Sequence, residues 1–220
     1  MILTPLQKKF LEIFFKSFLG QRFFLSGGTA LAEFYLKHRL SQDLDLFTVD
    51  QDLGFDSVNT EINKMAKNLD LIIEHQIASP SFLQYIFKDK SNDKSETLKV
   101  DVVKDVPIHF GSIKKSKGIN IDSLENISVG KLLAAFGRAD AKDFIDLYFL
   151  FKEKKVDFDN IFTMAKKKDL GLSEFYLAHM LNRVKEIKNF PKTIKPFDKK
   201  ELIDFFLNLS DKLFKKIKPT

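Results

Sequence analysis

The residues best suited to chemistry are two carboxylates, Asp43 and Asp45, which stand two positions apart in an otherwise apolar run. Because side chains on a β-strand alternate between faces, both carboxylates would project from the same face of a strand. Two carboxylates so placed repel each other, and a divalent cation relieves that repulsion. Mg²⁺ suits such a pair because it prefers oxygen ligands and completes its shell with substrate phosphates. The spacing therefore predicts a magnesium site for phosphate chemistry.

A double glycine lies upstream, in the run Ser26, Gly27, Gly28, Thr29, where a predicted strand turns into a predicted helix. Glycine allows a sharp turn and the close approach of a ligand, and the free N–H groups of a helix N-terminus favour an anion. We expect this turn and its two hydroxyls to hold nucleotide phosphates, although Thr29 would equally serve as a helix N-cap. Arg39 would bind a triphosphate or pair with the first aspartate of the strand. A phosphate site beside a metal site is what nucleotidyl transfer requires.

A third carboxylate is needed to hold a second ion, since two ions together activate the attacking hydroxyl and stabilise the leaving pyrophosphate. Asp101 is the best candidate, because the run Leu98–Val103 alternates and is β-branched, which is typical of a strand. Asp105 is the alternative. The prediction places Asp101 on a strand next to the one that carries the aspartate pair.

A second group of charged residues follows near the middle of the chain. Lys131 and Arg138 are seven positions apart and would share one face of a helix, while Asp143 and Asp146 would share a face of the next helix. These side chains would form surface ion pairs with a carboxylate at a helix start. In the functional interpretation, the cations neutralise nucleotide phosphates and a carboxylate orients or activates the acceptor hydroxyl.

The elements that must position these residues divide the chain into an α/β region, 1–120, and an all-helical region, 121–220. The predicted strands are 22–25, 44–48, 70–77, 82–87 and 97–103. A further strand is predicted over 106–111, and Pro107 places it at the edge of the sheet because proline cannot donate a ladder hydrogen bond. The predicted helices are 4–18, 29–37, 57–69 with Ser57 as a cap, 128–136, 141–152, 158–168, 173–188 and 199–217. The expected fold class is therefore α+β, with a mixed α/β N-terminal half and an all-helical C-terminal region.

Composition excludes several classes of protein. The 220 residues include no Cys, which excludes disulfides and zinc–thiolate sites and fits the cytoplasm. No run of about 18 apolar residues predicts a membrane span, and charges interrupt the first apolar segment as they do not in a signal peptide. The net charge is +6, and residues 151–220 hold 17 Lys and Arg against 10 Asp and Glu. That surplus favours a nucleic-acid partner or a solvated, lysine-rich surface.

Three runs occur in the order seen in one known family: the Gly-Gly-Thr-Ala-Leu run 27–31, the His-Arg-Leu-Ser-Gln-Asp-Leu-Asp-Leu-Phe run 38–47, and the Lys…Arg…Lys-Asp-Phe-Ile-Asp-Leu-Tyr run 131–148. Together they resemble the AbiEii/AbiGii toxin family of nucleotidyltransferases, within the DNA polymerase β-like superfamily, over about residues 20–150. The turn is Gly-Gly where the superfamily has Gly-Ser, which matches the narrower family.

The resemblance implies a nucleotidyltransferase-type mixed β-sheet core flanked by helices. It also implies Mg²⁺-dependent transfer of a nucleotide from an NTP to an RNA, such as the acceptor end of a tRNA. It further implies a toxin of a toxin–antitoxin or phage-defence system, which a separate antitoxin protein restrains. By motif position, Gly27 and Gly28 would bind phosphate, Asp43 and Asp45 would bind metal, Lys131 would contact phosphate, and Asp143 or Asp146 would be the later acid. The alternatives are transfer to a protein or a small molecule, and an inactive relative that binds a nucleotide or a partner.

Overall fold

The strands in the described part of the chain form one mixed sheet. The structure, a computed structural model, describes residues 2–90 and 96–217. The strands are β1 (Phe24–Ser26), β2 (Asp43–Thr48), β3 (Leu71–Ala78), β4 (Phe82–Asp89), β5 (Thr97–Lys104), β6 (Lys114–Ser116) and β7 (Ile119–Ile121). They are ordered β3-β4-β5-β2-β1-β7-β6; β2 runs parallel to β5 and β1 to β7, and the other neighbours are antiparallel.

Internal contacts separate two units. The first is Met1–Tyr35 with Ser41–Ser123, and the second is Leu36–Leu40 with Leu124–Thr220. The predicted boundary at residue 120 leaves the segment Leu36–Leu40 in the first region. In the structure, the contacts of this short segment assign it to the helical unit.

The helices of the first unit begin at residues that local chemistry explains. They are α1 (Pro5–Lys16), a 3₁₀ turn (Phe18–Gln21), α2 (Gly27–Ala30) continuing as a π-helix (Leu31–Leu36), and α3 (Phe55–Asn68). Thr4 caps α1 through a capping box with Gln7. The predicted cap at Ser57 is wrong: Gly54 is the N-cap of α3, and the Ser57 hydroxyl donates to the Gly54 carbonyl. Buried Phe55 starts the helix two residues before Ser57.

One face of the sheet is the core of the first unit. Leu44 and Leu46 on β2 are buried, as are Val100 and Val102 on β5. Helices α1 and α3 cover this face: the rings of Phe10 and Phe87 lie 5.8 Å apart, and the Tyr85 hydroxyl donates to Asn59 on α3 at 2.6 Å. Because strand side chains alternate, the polar residues between these apolar ones all project from the opposite face.

The predicted edge strand over 106–111 is wrong. Within the described residues this segment pairs with no strand, and the Ile108 N–H closes a local turn on the Val106 carbonyl at 2.7 Å. The edge of the sheet next to β7 is instead formed by β6, which pairs with β7 in a hairpin. Pro107 removes one donor, and the local turn uses another, so this segment has little left to offer a neighbouring strand.

The second unit is helical, with α4 (Leu124–Arg138), α5 (Ala141–Glu153), α6 (Phe158–Lys168), α7 (Glu174–Asn182), a 3₁₀ turn (Arg183–Glu186) and α8 (Lys199–Lys216). The helix predicted over 173–188 therefore ends at Asn182. The ring of Phe144 lies 4.9 Å from that of Phe206 between α5 and α8. Leu36–Leu40 packs here because the Ile194 N–H donates to the His38 carbonyl at 2.7 Å.

Of the helices in the ranges 2–90 and 96–217, none combines the length and the apolar character that a bilayer span needs.

Candidate active site

Three aspartates share the polar face of the sheet. The parallel register of β2 and β5 places Asp45 opposite Asp101, and Asp43 opposite Lys99. All four residues are partly exposed, while the residues between them are buried. Asp43 and Asp45 thus project from one face, as the alternation predicts. Asp101, the first choice for a third carboxylate, joins them on the neighbouring strand, whereas Asp105 lies beyond the end of β5 and accepts a bond from the Val106 N–H.

A cation already lies among these carboxylates. The Lys99 ammonium is 2.9 Å from Asp101 Oδ2 and 3.5 Å from Asp43 Oδ2. Burial lowers the pKa of Lys99, but the hydrogen bond to Asp101 and the negative charges of Asp101, Asp43 and Asp45 outweigh it, so the pKa is raised. All three aspartates therefore act on one positive charge. Gln84 on β4 fixes the remaining oxygen of Asp101, donating to Oδ1 at 2.8 Å.

The donor set fits a hard divalent cation. Its members are carboxylate oxygens on one face, the ligands that Mg²⁺ prefers. Within the residues that the structure describes, no group of three or more His, Cys, Asp or Glu side chains is arranged so that it could hold a metal ion by itself. Mg²⁺ needs no such group, since it keeps waters and takes phosphate oxygens from its substrate. Asp43 and Asp45, with Asp101 beside them, would hold it.

The glycine turn touches the aspartate pair. Gly27 has φ of +65°, and a Cβ added there would lie 2.0 Å from Asp45 Oδ2. Ser26 and Asp45 are also antiparallel neighbours on β1 and β2. Only glycine allows both this backbone conformation and this close approach. The N-terminus of α2, which begins at Gly27 and includes Gly28, is therefore in contact with the Asp45 carboxylate.

The two hydroxyls of this turn make bonds within the first unit. The Ser26 hydroxyl donates to Asp122 Oδ2 at 2.6 Å, and the Thr29 hydroxyl donates to the Asp43 carbonyl at 2.5 Å. Thr29 lies inside α2 and is not its N-cap, so that alternative is wrong. Its bond ties the start of β2 to the glycine turn. Both oxygens keep lone pairs, while their protons are directed to protein acceptors.

A buried ion cluster in the second unit contains the other predicted site residues. Asp146 is fully buried. Its carboxylate accepts three hydrogen bonds, each 2.7 Å long, from His38 Nε2 and from Arg39 Nε and Nη2. The ammonium nitrogen of Lys131 lies 2.8 Å from the same carboxylate. The sequence left open whether Arg39 binds a triphosphate or pairs with Asp43; in the structure its guanidinium forms a fork on Asp146. Such bidentate pairs are strong and geometrically specific.

Asp143 completes this cluster. It is buried and lies 3.1 Å from Lys131 Nζ, and Arg138 Nε donates to it at 2.7 Å. Burial opposes the charge on both Asp146 and Lys131, yet their partners outweigh it: Lys131, His38 and Arg39 hold the pKa of Asp146 well below its ordinary value. Asp146 and Asp143 in turn raise the pKa of Lys131. Both side chains therefore stay charged at neutral pH.

Sequence reasoning missed several residues that shape these sites. Lys99 stands two positions before Asp101, and the alternation that placed Asp101 on the polar face could have placed Lys99 there too. Asp122 gave no such signal. It follows β7, is fully buried, and holds the Ser26 hydroxyl and His109 Nε2, the latter at 2.8 Å. Its partners are far away in the sequence, so only the fold brings them together.

Comparisons with known proteins agree with this architecture. The family model described as nucleotidyl transferase AbiEii toxin, type IV TA system, matches residues 9–216. A candidate nucleotidyltransferase from Helicobacter pylori is similar in structure, with a TM-score of 0.62, 20% identity, and coverage of 96% of this chain and 92% of that one. JHP933 from Helicobacter pylori gives a TM-score of 0.59 at 21% identity, covering 96% and 90%.

A third solved structure is MenT4, a nucleotidyltransferase toxin from Mycobacterium tuberculosis, with a TM-score of 0.56, 10% identity, and coverage of 97% of this chain and 82% of that one. At these identities the three structures establish the fold. No curated protein matches the chain.

Proposed function

Since the chain belongs to the AbiEii toxin family of nucleotidyltransferases, over residues 9–216, we propose that the polar face of its sheet transfers a nucleotide from an NTP to an RNA. The observation that supports this proposal is the contact between the Gly27 turn and Asp45, on the face where Asp43 and Asp101 also project. This contact joins a bend suited to phosphate to carboxylates suited to a divalent cation.

In the proposed reaction, Asp43 and Asp45 would hold Mg²⁺, which would neutralise phosphate charge and favour ionisation of the attacking hydroxyl. The backbone of Gly27 and Gly28 approaches the β- and γ-phosphates. The acceptor hydroxyl oxygen bonds to the α-phosphorus, the bond from that phosphorus to the bridging oxygen breaks, and pyrophosphate leaves. The hydroxyl proton goes to water. Asp101, fixed by Gln84, adds the third carboxylate of the set.

The predicted catalytic role of Lys131, Asp143 and Asp146, and the phosphate contacts of Arg39 and Arg138, stay predictions. The described contacts support a second contribution, which is structural. Lys131 and Arg39 compensate two carboxylates that are fully buried, and a buried carboxylate that loses its partner is strongly destabilising.

An RNA acceptor is supported by charge. The segment 151–220 holds 17 Lys and Arg against 10 Asp and Glu, and a phosphate backbone is attracted to such a surplus. As a toxin of a type IV toxin–antitoxin family, the protein would be restrained by a cognate antitoxin. The acceptor end of tRNA is the specific acceptor we propose, in the cytoplasm where tRNA is found.

The test is transfer of label. The purified protein is incubated with Mg²⁺, total RNA and each NTP labelled on its α-phosphate, and we expect label to enter RNA. Asp43→Asn and Asp45→Asn should each lower the rate about 100-fold or more, the scale on which preorganised charges act. Asp52→Asn, which removes an exposed charge from a loop of the same unit, is the matched control and should keep full activity.

The outcomes separate the alternatives. Label that enters protein or a small molecule instead of RNA would contradict the RNA acceptor, while the proposed active site would still stand. Binding of Mg²⁺ and NTP without transfer to any cellular fraction would contradict the proposal and favour an inactive relative. Equal activity in Asp45→Asn and the parent protein would remove the polar face from the reaction.

A further inference from the structure

A cavity of about 330 Å³ opens beside Asp43 within the first unit, which is in the size range of about 300–1,000 Å³ of small-molecule sites. Its walls include Gln42 and Asp43 before and at the start of β2, and Glu96, Thr97 and Lys99 before and on β5. Gln7 of α1 closes another side. The role of this cavity is not part of the function proposed above.

The wall next to Asp43 is held in place by buried hydrogen bonds. Gln7 is 2% exposed, and its Nε2 donates to the carbonyls of Ser41 at 3.3 Å and Gln42 at 2.9 Å. Its Oε1 accepts a bond from the Thr4 N–H at 2.9 Å. Because every polar atom of this amide is bonded, Gln7 anchors the backbone that leads to Asp43, and this anchoring favours a cavity that is preorganised for a ligand.

The order of the strands places the cavity opposite the glycine turn. The turn follows β1, the aspartate pair is on β2, and Thr97 and Lys99 are on β5, in the order β5-β2-β1. In phosphoryl transfer the attacking and leaving oxygens lie roughly in line on opposite sides of the phosphorus. If the leaving pyrophosphate is at the glycine turn, an in-line path across β2 brings the attacking hydroxyl from the β5 side, where the cavity lies.

The charges of the cavity favour the sugar and base of an acceptor over its phosphates. Among the described residues that line the cavity, Asp43 and Glu96 contribute carboxylates, and the ammonium of Lys99 is held by Asp101 at 2.9 Å. A carboxylate repels phosphate but accepts hydrogen bonds from hydroxyls and from amino groups on bases, as glutamate does with cytosine N4. Uracil has no amino group, and its single N3–H donor lies between two carbonyl oxygens that such a wall repels.

We infer that this cavity is the acceptor subsite, in which the hydroxyl-bearing terminal nucleoside of the RNA binds and Glu96 selects a base with an exocyclic amino group. The inference rests on the proposed function, because it assigns the other substrate of the same reaction. The terminal hydroxyl enters from the cavity, bonds to the α-phosphorus, and pyrophosphate leaves toward the glycine turn.

The test uses four RNA oligonucleotides that differ only in the 3′-terminal nucleotide, with kcat/KM measured for label transfer to each. We expect the amino-bearing ends to exceed the uridine end by about tenfold, within the discrimination that one good base contact provides. Glu96→Gln should lower this ratio at least about fivefold on the same scale and leave the KM for NTP unchanged. Glu74→Gln, an exposed glutamate on β3 outside the cavity, is the matched control.

A second variant guards against misfolding. Gln42→Leu replaces an exposed amide at the mouth of the cavity and should raise the KM for RNA while the KM for NTP stays constant. If RNA is labelled in an Asp45-dependent way but neither variant changes the acceptor parameters, the inference is overturned and the proposed function stands. A change in NTP preference instead would also overturn it, by assigning the cavity to the donor. No label in any RNA would overturn both.

Discussion

At the scale of residues, the candidate site depends on how closely a backbone and a carboxylate approach each other. Gly27 has a left-handed conformation, and its missing Cβ is the space that Asp45 occupies. Lys99 balances the negative charges of the aspartates on the same face. These two features keep three carboxylates together on a half-exposed sheet surface, where their mutual repulsion would otherwise separate them.

The glycine can be tested with a control that separates backbone strain from contact. Gly27→Ala should lose transfer activity about 100-fold, the scale for one misplaced preorganised charge, because the new methyl group must displace the Asp45 carboxylate. Gly118→Ala carries the same penalty of about 1–2 kcal/mol for a left-handed residue, at φ of +81°, but meets nothing within 4 Å. Label transfer and urea unfolding are measured on both. Equal losses of activity would mean that strain, not contact with Asp45, is responsible.

At the scale of elements, the ion cluster connects parts of the second unit that are far apart in sequence. Lys131 belongs to α4, Asp146 to α5, and Arg39 to the segment Leu36–Leu40. Asp146 bonds to all of them, so it fixes the short segment against two helices. A buried ion network of this kind adds little net stability when it is intact, but removing one of its members strongly destabilises the fold because a buried charge is left without a partner.

Asp146→Asn should therefore destabilise the protein by about 3–5 kcal/mol at pH 7, the usual cost of breaking a buried ion pair. The pKa of Asp146 is lowered in the folded state, so its stabilisation is present above the unfolded pKa of about 4 and is lost as pH falls toward the folded pKa. The difference between parent and variant should shrink below about pH 4, measured by urea unfolding across pH.

Asp204→Asn provides the matched control for that experiment. Asp204 pairs with Lys200 on α8, where the Lys200 side chain is 85% exposed, so solvent screens the pair and little stability should be lost. A loss in Asp146→Asn that is no larger than the loss in Asp204→Asn would contradict the importance of the cluster.

At the scale of the whole molecule, positive charge is concentrated in the last third of the chain. Several lysines of this segment form ion pairs with acidic residues of the same segment, such as Lys216 with Asp159 at 2.6 Å and Lys166 with Glu174 at 2.7 Å. Pairing removes one basic and one acidic charge together, so the excess of 17 basic over 10 acidic residues in 151–220 is unchanged by these pairs. A surplus of this kind acts at long range and depends on ionic strength.

Salt should consequently weaken RNA use more than NTP use. Raising salt from about 50 to 200 mM should lower kcat/KM for RNA, with a linear dependence of log kcat/KM on log salt concentration. The reason is that RNA binding releases counterions from the phosphates, and a higher salt concentration opposes this release. The KM for NTP should change much less, because the NTP is bound mainly by local contacts. Steady-state label transfer at fixed Mg²⁺ measures both quantities. Identical salt slopes for the two substrates would contradict a basic surface that guides the RNA.

The sequence by itself determined what local periodicity encodes. Alternation on one strand placed Asp43 and Asp45 on the same face, and the 3.6-residue repeat predicted the helix Phe158–Lys168 with the bounds that the structure has. Local signals failed where a competing turn or an earlier cap prevailed, as at the segment 106–111 and at Ser57. These failures concern boundaries and edges, where tertiary contacts override weak propensities.

Only the tertiary structure decided which distant residues meet. The pairing of Asp45 with Asp101, 56 positions later, depends on the parallel register of β2 and β5. The contact of Gly27 with Asp45 depends on the turn geometry, and the bonds of His38 and Arg39 to Asp146 depend on where a five-residue segment packs. Such contacts are selected by burial and register over the whole fold, so no local pattern in the sequence contains them.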